Sequence, residues 1–291
     1  MANLRGKEVD TTFLSLEMAA ERGFIHRDYI AHVFRWNHVC KFLHQGAKYK
    51  TAHVLDVGCG RETPLPKMLF SMRMTHTSGS YTGIDYGPIS RPLTISDKTD
   101  KWNMTLHEKT DFVKWAAKND ASYDVATCFE MLEHVEPFHS YQTLKAIRSC
   151  LDDAGCAFIS TPVYDPKTGA AANHVNEMSY SGLEWMIKAA GLEIAETYGT
   201  FASQKDYKPV MTAEHRKLFD ELSEYYESNV VSVIFAPLYP QQSRNVLWVL
   251  RRGVVHVGAA KDILGTHHSN SDKWDVHVAK IAADAKKASR R

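Results

Sequence analysis

The chain has 291 residues, 44% of them hydrophobic and 24% charged, which is enough apolar material for one large core or one domain with appendages. Its 35 basic and 34 acidic residues leave a net charge of +1, so no global field favours nucleic acid or an anionic membrane, and no run of 18 apolar residues offers a membrane span. The five cysteines (Cys40, Cys59, Cys128, Cys150, Cys156) form no Cys-x-x-Cys pair, and the first ten residues lack the apolar core of a secretory signal; reduced thiols, no disulfide and a cytoplasmic location are expected.

Residues 11–49 carry helical spacing, with Ile30, Val33, Phe34, Val39, Phe42 and Leu43 at steps of three and four and Gly46 as a stop. Residues 1–49 therefore read as a helical preamble or cap. The run HVLDVG that follows is short, continuous and apolar, as in a strand buried on both faces. Thr63-Pro64 then reads as an N-cap and first turn of a helix through PLPKMLFSMRM. Strands are predicted at 80–85, 103–108, 123–129, 156–162 and 192–199, with helices at 111–119, 137–153, 179–191 and 213–228 between and after them. VVSVIFA and NVLWVLRR are predicted as late strands. Strands alternating with helices at this interval argue for an α/β fold, a mainly parallel sheet with helices on both faces, over residues 50–253. The connection at about 200–240 is long and reads as a lid or binding insertion, while 254–291 is polar, ends basic and reads as a solvated tail, partly helical or disordered.

A buried strand running into Gly58-Cys59-Gly60 and then a helix places bare backbone N–H groups at the carboxyl edge of the sheet, where open α/β sheets bind nucleotides. A Gly-x-Gly pair also serves turn geometry alone. Asp85, closing the second strand before Tyr86, can accept from both hydroxyls of a ribose. Asp111 can accept from an adenine amino group while the ring of Phe112 covers the base. A dinucleotide fingerprint wants a third glycine where Thr63 stands, and Glu62 would repel a pyrophosphate. A sulfonium cofactor has no phosphate and ends in a cationic amine, which suits an acid-rich loop preceded by Asp56.

LDVGCG (55–60), YTGIDYG (81–87), TDFVKW (110–115), YDVATCFEMLEHV (123–135), LDDAGCAFISTP (151–162) and HVNEMSYSGLEWMIKAAGLEI (174–194) follow one another in an order that resembles the class I S-adenosylmethionine-dependent methyltransferases, of the type 11/23-like kind, over residues 50–200. The resemblance implies a Rossmann-like seven-stranded mainly parallel sheet flanked by helices, with S-adenosyl-L-methionine as cofactor. It implies that Gly58 and Gly60 line the methionine arm, that Asp56 orders the loop and its amine end, that Asp85 takes the ribose hydroxyls, and that Cys59 and Tyr86 are cofactor-binding as well. It further implies that Asp111 and Phe112 hold the adenine and that the main chain from Cys128 to Glu130 meets the methionine amine. The chain departs from the pattern at Glu62, which makes Arg61 a candidate for the methionine carboxylate.

Methyl transfer needs chiefly an acceptor aligned with the methyl group and, where the acceptor carries a proton, a base. His134 in FEMLEHV is the expected base or acceptor-orienting group, and Tyr164, His174 and Asn176 are expected to reach the same cleft. No His-x-x-x-His with an adjacent acid lies on one helix face, so no metal site is expected. The leading acceptor is an oxygen or nitrogen of a small, sugar-like molecule. The alternatives are a nucleic-acid or nucleotide modification enzyme, virus-encoded forms included, which the net charge does not indicate, and a cofactor-binding regulatory protein without catalysis. Nothing in the sequence fixes the oligomeric state.

Overall fold

A computed structural model describes residues 27–45, 51–71, 78–90 and 102–290. The elements in chain order are α1 (Arg27–Gln45), β1 (Thr51–Val57), α2 (Pro64–Ser71), β2 (Ser78–Ile84), β3 (Trp102–His107), α3 (Phe112–Ala116), β4 (Tyr123–Phe129), α4 (Pro137–Cys150) and β5 (Leu151–Pro162). They continue with α5 (Tyr180–Ala189), β6 (Leu192–Phe201), α6 (Gln204–Tyr207), α7 (Ala213–Leu222), α8 (Ser228–Phe235), β7 (Asn245–Arg252) and α9 (Trp274–Ala288). The seven strands form one sheet in the order β3-β2-β1-β4-β5-β7-β6, parallel except for β7, which runs antiparallel to β5 and β6. Strand order reverses between β1 and β4, and a crevice opens at such a switch point beyond the strands' carboxyl ends. This is the Rossmann-like sheet expected from the motifs.

Side-chain alternation divides the core between the two faces. Ala52, Val54, Val125, Cys156 and Phe158 meet Trp36, Val39 and Leu43 of α1 and Leu65 and Leu69 of α2. Leu55, Val57, Ala126, Cys128, Ala157 and Ile159 meet α4, α5 and α9 on the other face. All five cysteines are free and buried, Cys40, Cys128, Cys150 and Cys156 in these layers and Cys59 in the loop after β1. Among the described residues no helix is long and apolar enough to cross a membrane.

Three sequence expectations are corrected. VVSVIFA is not a strand: it lies in α8, where Val231 and Phe235, four residues apart, bury against Tyr207, Met211 and Phe219 in a small core of the insertion. Both sides of β7 are already taken by β5 and β6, so packing in the insertion overrides the β-branched preference of this segment. The tail is not simply solvated, because Trp274, Val278, Ile281 and Ala285 of α9 complete the second core layer. Thr63 is not a side-chain N-cap: it sits at φ 43°, fully buried, and its hydroxyl has no hydrogen-bond partner among the described residues. The preamble before residue 27 and the stretch 91–101 lie outside the described residues.

The insertion is locked to the sheet edge at Gly199 of β6. A Cβ there would stand 1.9 Å from the Ser243 hydroxyl and 2.2 Å from the Ala236 carbonyl oxygen, and the second contact is backbone. Gly199→Ala would gain about 0.5–1 kcal/mol from chain entropy but must displace that backbone, an overpacking loss of about 1–3 kcal/mol or more. A net loss of about 2 kcal/mol in denaturant unfolding is expected, and an unchanged midpoint would refute the contact.

Candidate active site

The site forms where β1, β2 and β4 end. After β1 the chain turns through Gly58 and Gly60 at φ 71° and 72°, a region open to glycine at little cost. A Cβ on Gly58 would meet the Met131 side chain at 3.0 Å, whereas one on Gly60 would meet nothing within 4 Å. Gly58 therefore packs the loop against the segment that follows β4, and Gly60 presents its backbone to open space. The N–H groups of Gly58 and Cys59 both donate to the Ile84 carbonyl, at 2.8 and 3.2 Å. The Cys59 side chain is buried, and Cys128 is fully buried in the sheet, so neither thiol reaches the crevice. Any contact from these two positions is left to the main chain.

Asp85 ties the two loops together: its Oδ2 accepts from the Gly60 N–H at 2.9 Å and its Oδ1 from the Gly87 N–H at 2.7 Å. A carboxylate has further lone pairs for ribose hydroxyls beyond these two. Tyr86 beside it is 81% exposed. Asp111 caps α3, its Oδ1 accepting from the Lys114 N–H at 3.1 Å, with the Lys114 ammonium 3.4 Å from Oδ2. Burial raises its affinity for a proton, but the amide and ammonium of Lys114 outweigh that, and its pKa falls below the ordinary value. Phe112 is buried against the core, its ring 6.2 Å from that of Trp115. The Arg61-Glu62 pair is held locally: Arg61 Nε donates to the Ser90 hydroxyl at 2.9 Å, and Glu62 pairs with Lys67 at 3.3 Å.

Asp56 lies beneath the loop, accepting from Tyr81 and Thr127 hydroxyls, each at 2.6 Å. Burial pushes its pKa up to about 6, and these two donors offset the rise only in part. The folded protein thus holds this proton more tightly than the unfolded chain. The group's contribution to stability therefore falls as pH rises from about 4 to about 6, by on the order of 3 kcal/mol. Asp56→Asn has no such proton. The stability of the parent protein relative to this variant should decline across that window, and a pH-independent difference would show that folding does not raise the pKa of Asp56.

After β4 the chain enters Glu130 at φ 52°, and residues 132–134 make one tight turn. The Glu130 carboxylate accepts from Arg35 of α1 at 2.5 Å, Ser160 at 2.8 Å and the Asn245 amide at 2.8 Å. Arg35, 2% exposed, also donates to Ser160 and to His32, whose pKa is lowered well below the usual value by burial and by Arg35. Sequence reasoning missed Arg35, Ser160 and Asn245. The available signal was a charge at 35 inside an otherwise apolar helix face.

Glu133 is 1% exposed, and its Oε2 accepts from Thr161 at 3.0 Å. Burial, then the Glu130 carboxylate, push its pKa well above the usual carboxylate range. Its carbonyl accepts from the N–H groups of Val175 and Asn176 at 2.9 and 3.1 Å, which draws the 171–176 loop onto the turn. His134 and His174 meet there edge to face, ring centroids 4.7 Å apart. Tyr164 is half-buried and anchored by its N–H to the Met178 carbonyl. Asn176 corrects an expectation. It is fully buried, with its amide nitrogen donating to Ser140 at 3.0 Å and its oxygen accepting from Ser269 at 3.1 Å, so it fastens the loop and does not reach the cleft.

A family model for a methyltransferase domain matches residues 29–197. Among curated proteins, the chain is 29% identical over 194 residues to a ubiquinone biosynthesis O-methyltransferase of Saccharophagus degradans, covering 61% of this chain and 75% of that protein. To the enzyme of the same name from Nitrosospira multiformis it is 27% identical over 174 residues, covering 54% and 70%. Among solved structures, a Burkholderia thailandensis 1,6-didemethyltoxoflavin-N1-methyltransferase aligns with a TM-score of 0.47 at 13% identity, covering 84% and 94% of the two chains. The family match spans more than half of the chain and contains the glycine loop, Asp85 and the Glu130–His134 turn: the protein belongs to the S-adenosylmethionine-dependent methyltransferases.

Proposed function

We infer that this enzyme transfers a methyl group to an oxygen or nitrogen of a small-molecule acceptor, with Asp85, Gly58 and Gly60 holding the cofactor and the Glu130–His134 turn facing the acceptor. The observation that carries the assignment is the glycine loop itself: a Cβ on Gly60 would meet nothing within 4 Å, the Gly60 N–H is held by Asp85, and Gly58 packs against Met131 of the turn. When bound, S-adenosylmethionine supplies an electrophilic methyl on sulfur: the acceptor lone pair forms the new bond, the sulfur–methyl bond breaks in line, and S-adenosylhomocysteine leaves. The chain's own contribution is placement. The Gly60 N–H is already fixed by Asp85, so the loop need not reorganise on binding. Asp111 and the face of Phe112 stand at the end of β3 for the adenine. Main-chain groups from Cys128 to Glu130 are available to the methionine end.

On the acceptor side, His134 is exposed and its Nδ1 lies 3.3 Å from the Asn173 carbonyl. Nδ1 then carries the proton and Nε2 the lone pair, which orients an acceptor group. Tyr164, and the insertion with α1, close the cleft against water. The small-molecule class is supported by the relatives' names, which are those of O-methyltransferases of ubiquinone biosynthesis, and by the balanced net charge. Burial of all five thiols supports a cytoplasmic setting.

Methyl-labelled cofactor incubated with pools of phenolic, sugar and amine metabolites, and separately with DNA and RNA, tests this reading. Label passing to a small molecule is expected; transfer only to nucleic acid would overturn the acceptor class, and absence of transfer despite tight cofactor binding would overturn catalysis.

A further inference from the structure

We propose that Glu133, His134 and His174 form a binding site for a divalent transition-metal ion at the edge of the acceptor cleft. One carboxylate oxygen of Glu133 and one ring nitrogen from each histidine lie within 4.8 Å of one another, a span that a single ion can bridge with small side-chain adjustments.

The tautomers favour the site. His174 Nδ1 lies 2.7 Å from the Glu177 carboxylate, and His134 Nδ1 lies 3.3 Å from the Asn173 carbonyl. A carboxylate or a carbonyl only accepts, so both Nδ1 atoms carry the proton and both Nε2 atoms carry the lone pair a metal needs. This carboxylate–histidine pairing is the outer support that metal-ligating imidazoles use. The support is itself held: Glu177 also accepts from the Ala171 N–H at 3.1 Å, and Asn270 donates to the His174 carbonyl while accepting from the Glu177 N–H, each at 2.7 Å.

Glu133 supplies a second, independent observation. It is 1% exposed, and Thr161 donates to its Oε2 at 3.0 Å, so the carboxylate is held in place at the turn. A buried carboxylate with an oxygen within 4.8 Å of a ring nitrogen of each of two imidazoles is complementary to a cation. The sequence spacing conceals this because His174 is brought forty residues across by the hydrogen bonds from the 175 and 176 N–H groups to the Glu133 carbonyl. The expectation of no metal site is revised accordingly.

Two imidazoles and one carboxylate suit zinc, manganese, cobalt or iron better than magnesium or calcium, which prefer oxygen alone. Three protein ligands leave coordination positions open. Met131, in contact with the Gly58 loop, places those positions beside the cofactor crevice. An acceptor oxygen taken there would lose its proton more easily and His134 would orient it through the ion; this extension rests on the methyltransferase reading, whereas ion binding does not.

Calorimetric titration of the full chain, first treated with chelator, with zinc, manganese and magnesium chlorides tests the site. One zinc and one manganese per chain are expected, zinc the tighter and magnesium the weakest, with His174→Ala and His134→Ala each weakening zinc at least tenfold. Glu177→Gln should weaken it about tenfold or more through the His174 ring, and His267→Ala should change nothing. Because His134 is exposed, its variant carries the test should His174→Ala fail to fold by circular dichroism. Absence of saturable zinc or manganese binding to folded protein, or binding left intact by both histidine variants, overturns the proposal. A parallel titration with S-adenosylhomocysteine separates that failure from failure of the methyltransferase reading.

Discussion

Arg35→Ala is expected to destabilise the protein by about 3–5 kcal/mol, the largest loss from any single side chain at the site, because it strands a partly buried carboxylate. Arg35 is 2% exposed and Glu130 19%, and the guanidinium is the only cation within ion-pair distance of Glu130 among the described residues. The neutral donors Ser160 and Asn245 remain and soften the loss without cancelling it. Part of the loss is packing, since the guanidinium also lies 5.9 Å from the Phe129 ring centroid. Glu130→Gln removes the charge but keeps the shape. The double variant Arg35→Ala/Glu130→Gln should therefore be more stable than the two single losses added together, by about 1–3 kcal/mol. Denaturant unfolding of the four proteins decides this, and additive losses would mean that the pair contributes no coupling. The same variant bears on function. Glu130 stands at φ 52° at the head of the turn carrying Glu133 and His134, so freeing its side chain relaxes that turn as well.

What could be read from the sequence divides along physical lines. The strand at 123–129 matches its prediction residue for residue, since central parallel strands buried on both faces leave an unbroken apolar run. The start of α5 agrees to within one residue with the helix predicted from 179, and Ser179 caps it, its hydroxyl accepting from the Gly182 N–H at 3.1 Å. The misreadings arise where distant contacts decide. Ser228–Phe235 is β-branched yet helical because its partners are Tyr207 and Phe219 and not a sheet edge. Residues 254–291 read as polar because the apolar positions of α9 are sparse, although four of them suffice to bury one face. At the site, the positions of the residues at the ends of β1 and β2 were legible from motif order, since the backbone turns there are encoded within a few positions. Arg35, Asn245 and Ser160 were not, because their meaning lies in a carboxylate about a hundred residues away for the first two. Asn176 shows the converse error: an amide in a cleft-side loop suggests substrate, and only the serines 140 and 269 reveal that it holds the loop.

Asp85→Ala is expected to weaken binding of S-adenosylhomocysteine by about 100-fold or more, the largest effect on ligand affinity of any substitution proposed for this protein. Two ribose hydroxyls donating to an ionised carboxylate contribute about 1.5–3 kcal/mol each, and about 3 kcal/mol in total is already a factor of more than 100. The geometry adds a second route to the same result. Asp85 fixes the N–H groups of Gly60 and Gly87, so its removal frees the glycine loop as well as the ribose site. Stability should fall too, by about 1–2 kcal/mol, because two backbone donors lose a charged acceptor while retaining access to water. Asp85→Asn separates the routes. Its amide oxygen can still accept from one N–H and hold part of the loop, but it cannot accept from two ribose hydroxyls as a carboxylate does. The asparagine variant should therefore recover most of the lost stability and little of the lost affinity. Calorimetric titration paired with denaturant unfolding reads both quantities on the same protein. If affinity stays within about threefold of the parent in both variants, the carboxylate serves the loop alone and the ribose is held elsewhere; if affinity returns with stability in the asparagine variant, preorganisation of Gly60 is the whole of its role.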